Sequence, residues 1–165
     1  PGYFEQTLKS VLAQTYQNLD IIICDNSTDE ATANLMQKYL DDPRIRYIRN
    51  REARSKAENF APFESLARGE YLQWLMDDDL LAPEKIAKMI RVFQQHPQVA
   101  LVTSRRGIID AEGQLIGQAA DKLVIKGEYL IAEGREAGRI MLSQMSNYLG
   151  EPSAVLFRRQ DLRNH

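Results

Sequence analysis

Apolar positions recur along this chain with two spacings, and the two spacings alternate. Residues 3–15 and 83–95 each carry an apolar stripe at helical spacing. Residues 19–24 and 71–76 are nearly continuous apolar runs, which is typical of strands buried on both faces of a sheet. Residues 44–49 mostly alternate between apolar and charged side chains, which predicts a half-exposed strand.

The remaining segments extend this alternation. Ser55 and Glu58 have the spacing of a capping box, which predicts a helix that runs to about residue 67. The later predicted elements are a strand at 99–104, a hairpin at 108–116, one or two short helices at 127–145 interrupted at Gly134, and a strand at 154–157. Strands that alternate with helices indicate βαβ units. We therefore predict one α/β domain over residues 1–165, with a mostly parallel central sheet flanked by helices.

Composition narrows the class of protein. The chain has 165 residues, enough for one domain with a core, and its net charge of −2 gives no reason to expect nucleic acid as a partner. No apolar run approaches the roughly 18 residues that span a bilayer. A single cysteine, Cys24, cannot form an internal disulfide, which fits a cytoplasmic location. His96 and His165 are far apart, so a zinc site or a Ser-His-Asp triad has little support.

Three consecutive carboxylates, Asp77 to Asp79, end the apolar run at 71–76 and precede Pro83. In open α/β sheets, ligands bind at the carboxyl ends of strands. Adjacent carboxylates repel one another and are most easily kept ionised beside a divalent cation, and oxygen ligands favour Mg²⁺ or Mn²⁺. The alternative is an acidic turn that favours the positive end of the next helix. Spacing alone does not choose between the two.

A second acidic loop begins at Asp25, after the run at 19–24, and a basic segment, 50–56, follows the strand at 44–49. The carboxyl ends of parallel strands lie at one edge of a sheet, so these loops are expected to share a cleft with Asp77 to Asp79. Acidic and basic groups together suit a ligand that has both a polar base or ribose and a phosphate. Turns, caps and ordinary solvated surface remain the alternatives.

Two long motifs resemble those of the family 2 glycosyltransferases. Residues 10–29, SVLAQTYQNLDIIICDNSTD, resemble the opening of that family, and residues 68–86, RGEYLQWLMDDDLLAPEKI, resemble its second signature. The resemblance is closest over residues 2–110. It implies a GT-A fold and inverting transfer of a sugar from a UDP- or GDP-linked donor to a glycan, a lipid-linked acceptor or a protein.

The resemblance also implies roles for the acidic residues. Asp25 would bind the edge of the nucleobase, and Asp77 would contact the ribose. Asp78 would ligate a Mn²⁺ or Mg²⁺ ion that bridges the diphosphate, with Asp79 as a second acidic contact to the metal.

Polar and basic residues receive roles from the resemblance as well. Asn59 falls where the family often places an asparagine that faces the nucleotide, and Arg54 or Lys56 would meet the diphosphate. Members also carry an acidic general base near the acceptor, for which Glu151 is one candidate and a residue beyond His165 is another. The family's first strand would precede Pro1. We therefore expect a domain truncated at both ends, with an exposed sheet edge through which it could form a homodimer, in a full-length protein that could associate with a membrane.

Three other functions stay open on the sequence. A receiver-type signalling domain also has an acidic pocket at its strand ends. A nucleotidyltransferase would make nucleotide-sugars and would need a Gly-rich phosphate loop, which is not visible. A non-catalytic domain could keep a nucleotide-sugar site without transferring the sugar.

Overall fold

The computed structural model describes residues 2–52, 55–119 and 127–164. Within these ranges the α-helices are α1 (Gly2–Leu12), α2 (Ala31–Met36), α3 (Lys56–Leu66), α4 (Lys85–Gln95) and α5 (Gly134–Gln144). The strands are β1 (Ile21–Asp25), β2 (Ile45–Arg49), β3 (Tyr71–Leu72), β4 (Leu101–Thr103), β5 (Gly107–Ile109), β6 (Leu115–Gln118) and β7 (Val155–Arg158). Short 3-10 helices at Pro152–Ala154 and Arg159–Asn164 flank β7. Helices and strands alternate from α1 to β4, which confirms the predicted α/β class.

The strands form three sheets, of which one is parallel. Strands β1 and β2 pair in parallel, so that Asp25 lies opposite Arg49. Strand β7 lies between β3 and β4 and runs antiparallel to both. Strands β5 and β6 form the predicted hairpin. The prediction of a mostly parallel central sheet is therefore wrong in this respect, because the order of elements along the chain does not reveal where a late strand inserts.

Strand β3 is much shorter than the predicted strand at 71–76. Only Tyr71 and Leu72 pair with β7. Ser153 provides partners for the residues that follow: its carbonyl accepts from Gln73 Nε2 at 2.7 Å, and its hydroxyl accepts from the amide of Met76 at 3.0 Å. After Leu72 the chain no longer pairs with β7. It remains hydrogen-bonded through Gln73 and Met76 to Ser153, in the 3-10 helix that precedes β7.

Helix α5 begins at Gly134, so this glycine marks the start of a helix and the predicted interruption there is wrong. The preceding residue, Glu133, has an extended backbone conformation, so the helix does not continue back beyond Gly134. No helix in the described ranges is long and apolar enough to cross a lipid bilayer.

Two apolar clusters form the core, and helix α1 contributes to both. The larger cluster packs one face of α4 against the sheet of β3, β7 and β4, and its buried members are Leu81, Ile86, Met89, Ile90, Phe93 and Leu156. The smaller cluster contains Leu8, Met36 and Ile45 and joins α1 and α2 to β2. Leu8 of α1 belongs to the smaller cluster, while Val11 packs against the larger one. Helix α1 therefore connects the two apolar clusters.

Candidate functional site

Asp25 ends β1 as a buried carboxylate with a full set of donors. Its Oδ1 accepts hydrogen bonds from the amide and the hydroxyl of Ser27, at 2.9 and 2.5 Å. Its Oδ2 accepts from the Tyr47 hydroxyl at 2.5 Å and from Arg49 at 2.9 Å. A carboxylate has about four acceptor positions, so the protein itself occupies them. A nucleobase could bind this carboxylate only by replacing one of the donors.

The parallel register of β1 and β2 creates this arrangement, because it places Arg49 directly opposite Asp25. Burial by itself would raise the pKa of Asp25, but the hydrogen bonds from Ser27 and Tyr47 and the charge of Arg49 outweigh it and hold that pKa below its ordinary value. Asp25 is thus ionised at neutral pH. Its predicted contact with the nucleobase stays a prediction.

Asn59 of α3 lies beside the same strand end. Its Nδ2 donates to the carbonyl of Cys24 at 3.1 Å, and its Oδ1 accepts from Asn50 at 3.3 Å. The structure thus places Asn59 beside the end of β1, and its predicted contact with the nucleotide stays a prediction. Arg54 lies outside the described residues, and so does the side chain of Lys56.

The three consecutive carboxylates of the second loop are in a different situation. The side chains of Asp77 and Asp78 are exposed and that of Asp79 is half-buried. The backbone of the loop is held instead: the Thr7 hydroxyl of α1 donates to the Asp77 carbonyl at 3.0 Å. This hydrogen bond holds the backbone of the loop and does not use the carboxylate of Asp77. We call residues 77–82 the acidic loop.

Lys85, the first residue of α4, is a half-buried cation beside the acidic loop. Its ammonium group donates to the carbonyl of Ser153. Burial lowers the pKa of Lys85 to about 8, and the negative charge of Asp79 opposes that shift in part. Lys85 therefore carries a charge that the protein solvates incompletely, and Asp79 is the carboxylate that acts on it.

Glu151 lies two residues before Ser153, which contacts the residue preceding the acidic loop. It forms an ion pair with Arg106. The hydrogen bond from Arg106 lowers the pKa of Glu151. A candidate general base with a lowered proton affinity is a weaker base, and its role stays a prediction.

Sequence reasoning missed the residues that support the site. Tyr47 and Arg49 lie two apart on β2 and follow from the parallel register, once the register is known. Thr7, Ser10 and Gln14 of the α1 segment have the spacing i, i+3, i+7, which places them along one line beside the apolar stripe. That polar stripe is the signal that was available in the sequence.

The donor set suits a divalent cation that arrives together with a phosphate ligand. Among the described residues, no group of three or more His, Cys, Asp or Glu side chains is placed to hold a metal. Mg²⁺ is usually bound by one or two carboxylates plus phosphate oxygens and water. The exposed carboxylate of Asp78, with the half-buried carboxylate of Asp79 beside it in the chain, would fit that requirement.

Comparison with known proteins identifies the family of this chain. The family model described as "Glycosyl transferase family 2" matches residues 1–161. The chain is 28% identical over 116 residues to Protein CgeD of Bacillus subtilis (strain 168), covering 66% of this chain and 27% of that protein. It is 34% identical over 116 residues to a chondroitin synthase of Escherichia coli, covering 69% of this chain and 17% of the synthase.

A third relative, from Escherichia coli, is the UDP-Glc:alpha-D-GlcNAc-diphosphoundecaprenol beta-1,3-glucosyltransferase WfaP. The identity is 34% over 88 residues, which cover 53% of this chain and 35% of the enzyme. The chain therefore spans well under half the length of these three relatives. Because the family model covers nearly the whole chain, the chain belongs to glycosyl transferase family 2.

Proposed function

We propose that this domain binds a nucleotide-diphosphate sugar together with Mn²⁺ or Mg²⁺ and transfers the sugar to an acceptor with inversion. One observation carries the proposal: Asp77 and Asp78 present exposed carboxylates on a backbone held by Thr7, in a chain of this family. The donor would be UDP- or GDP-linked.

The resemblance to the family implies the roles of the residues. Asp78, with Asp79, would hold the divalent ion, and Asp77 would contact the ribose. When bound, such an ion supplies positive charge that stabilises the leaving diphosphate. Asp25 would contribute to the nucleobase side either directly, after exchange of a donor, or by fixing Tyr47 and Arg49. Arg54 and Lys56 would supply further positive charge to the diphosphate.

The relatives suggest the acceptor class. One is named a chondroitin synthase and another a glucosyltransferase acting on a sugar-diphosphoundecaprenol. We propose a glycan or lipid-linked acceptor, in the assembly of a polysaccharide or glycolipid on the cytoplasmic side. The single cysteine, Cys24, is half-buried and cannot form an internal disulfide, which suits a reducing compartment.

Calorimetric titration of UDP and GDP, with Mn²⁺ and then with EDTA, tests donor binding. We expect one of the two nucleotides to bind in a metal-dependent way. Asp78→Asn should weaken that binding at least about tenfold, because the ion loses a carboxylate that would coordinate it directly. Asp41→Asn makes the same chemical change on another exposed loop and should bind as the wild type does. Equal affinities for Asp78→Asn and Asp41→Asn would contradict the assignment.

Sugar transfer separates an enzyme from a domain that only binds the donor. The full-length protein should release UDP or GDP from the matching nucleotide-sugar in the presence of a glycan or lipid-linked acceptor. Metal-dependent binding without any transfer would favour the non-catalytic alternative. The family assignment leaves the receiver-type domain and the nucleotidyltransferase without support.

A further inference from the structure

The α1 segment carries a polar stripe, Thr7, Ser10 and Gln14, whose side chains bond to the backbone of the acidic loop and the start of α4. The Thr7 hydroxyl donates to the Asp77 carbonyl at 3.0 Å. The Ser10 hydroxyl accepts from the Leu81 amide at 3.1 Å. These two bonds lie at opposite ends of the acidic loop. The loop is thereby tied to a helix that is itself anchored in both apolar clusters.

Gln14 is the most buried member of the polar stripe, with no exposed surface. Its Nε2 donates to the carbonyl of Ala82 at 2.8 Å, and its Oε1 accepts from the amide of Ile86 at 3.1 Å. One side-chain amide thus joins the end of the acidic loop to the first turn of α4. The Thr15 amide adds a bond to the Pro83 carbonyl at 2.9 Å.

The peptide units around Asp77 are held from two directions. Ser153 accepts from the Met76 amide, one residue before Asp77, and Thr7 donates to the Asp77 carbonyl. Both contacts use side-chain hydroxyls that bond to backbone atoms of the chain. The carboxylates of Asp77 and Asp78 take no part in them and stay exposed. This separates the groups that position the loop from the groups that would meet a ligand.

We propose that the polar stripe of α1 consists of positioning residues that preset the acidic loop for the metal and the diphosphate of the donor. The inference rests on the proposed function and deepens it. Divalent ions such as Mg²⁺ demand a narrow ligand geometry, so a loop that moves more widely presents its carboxylates in the correct place for less of the time. Loss of a stripe hydroxyl should therefore weaken metal-dependent binding while every ligand-contacting side chain is retained.

The test compares Thr7→Val, which keeps the shape and removes the donor, with Thr7→Ser, which restores the hydroxyl. Ser10→Ala tests the other end of the acidic loop. Ser65→Ala is the matched control, because the Ser65 hydroxyl bonds to the Pro62 carbonyl within α3 just as Ser10 bonds to Thr7 within α1. Three measurements are made on each protein: amide hydrogen exchange of residues 77–82, calorimetric binding of UDP and GDP with Mn²⁺ and with EDTA, and thermal unfolding.

We expect Thr7→Val and Ser10→Ala to speed exchange in the acidic loop at least about fivefold and to weaken Mn²⁺-dependent nucleotide binding about tenfold. Binding in EDTA should change less than about twofold. Thr7→Ser and Ser65→Ala should behave as the wild type does. If the role of the stripe is purely structural, Thr7→Val will lower the unfolding temperature without this selective loss of metal-dependent binding. Thr7→Ser and Thr7→Val would then have the same nucleotide affinity.

Two results would overturn the inference and are distinguishable. If the wild type binds a nucleotide with Mn²⁺ but exchange and affinity in Thr7→Val equal those of the wild type, the positioning role is wrong and the proposed function stands. If the wild type binds neither UDP nor GDP with Mn²⁺, the proposed function fails and the donor-site role fails with it. The exchange measurement then still reports whether the stripe fixes the loop.

Discussion

Asp25 and Asp78 both follow apolar segments, yet the first is buried and hydrogen-bonded on both oxygens while the second is exposed. Around Asp25 the protein supplies the donors itself, including the guanidinium of Arg49. Around Asp78 it holds only the backbone, through the neighbouring carbonyl of Asp77. A carboxylate that is to receive a ligand needs free acceptor positions, and this is why we propose the acidic loop, and not Asp25, as the place where a cation binds.

The basic side chains of the two regions, Arg49 and Lys85, also differ in whether a carboxylate pairs with them. Arg49 ends β2 in a direct contact of 2.9 Å with its carboxylate. Lys85 instead donates to the Ser153 carbonyl, and burial lowers its pKa to about 8. In the first region a carboxylate and a guanidinium pair directly, whereas in the second the ammonium group bonds to a backbone carbonyl and the carboxylates of Asp77 and Asp78 are exposed. We infer that the first region gives stability and the second is built for a ligand.

The largest expected effect on stability comes from Asp25→Asn, which keeps the size of the side chain and removes its charge. Breaking a buried ion pair costs about 3–5 kcal/mol, and the partial exposure of Arg49 reduces this to about 2–4 kcal/mol. Asp78→Asn should change the free energy of unfolding by less than about 0.5 kcal/mol. Urea unfolding of both variants measures the difference. Equal losses in the two would remove the contrast between the regions.

A smaller effect, with a defined pH window, is expected from Lys85. Its folded pKa of about 8 is below the ordinary value of 10.5. The unfolded chain therefore binds more protons between these pH values, so this group makes stability rise as pH increases through the window. The penalty for the buried charge is fully present below pH 8.

Lys85→Met has no such titration, so it isolates the effect. The free energy of unfolding of the wild type, minus that of Lys85→Met, should increase by about 1–2 kcal/mol from pH 8 to pH 10.5, after allowance for solvent screening at a half-buried site. Taking the difference cancels the other lysines and the tyrosines. A difference that stays flat or falls over this range would show that Lys85 is well solvated.

The sequence predicted those parts of the fold whose pattern is local. Strand β1 follows from its β-branched run, and helix α4 follows from the apolar spacing of Ile86, Met89, Ile90 and Phe93. The Ser55 cap was predicted from its spacing to Glu58, and its hydroxyl does accept from the Glu58 amide at 3.2 Å. Each of these depends on residues within about one helical turn or one strand, so neighbouring residues suffice to specify it.

The parts that were not predicted depend on contacts between distant segments. Strand β7 has four residues, too few to indicate its neighbours, and it pairs with β3, about 85 positions earlier in the chain. Strand β3 ends early because Ser153 provides hydrogen-bond partners for Gln73 and Met76. At the site, the acidic residues were visible as motifs. Their supports, such as Gln14, are ordinary polar residues whose partners only the fold reveals.

The smallest expected change in stability comes from Glu151→Gln. Its ion pair with Arg106 is largely exposed on the Glu151 side, and such pairs contribute about 0–1 kcal/mol. We expect a loss below about 0.5 kcal/mol and nucleotide affinity within about twofold of the wild type, as for the exposed control Glu112→Gln.

Transfer by the full-length protein then decides the role of Glu151. Arg106 lowers the pKa of this carboxyl, which makes it a weak proton acceptor unless an acceptor substrate displaces the guanidinium. We therefore expect Glu151→Gln to retain most of the transfer rate, with the general base supplied elsewhere in the protein. A fall of about a hundredfold or more at unchanged nucleotide affinity would instead assign the base to Glu151. It would also show that a paired carboxylate can serve the ligand, which the contrast between Asp25 and Asp78 argues against.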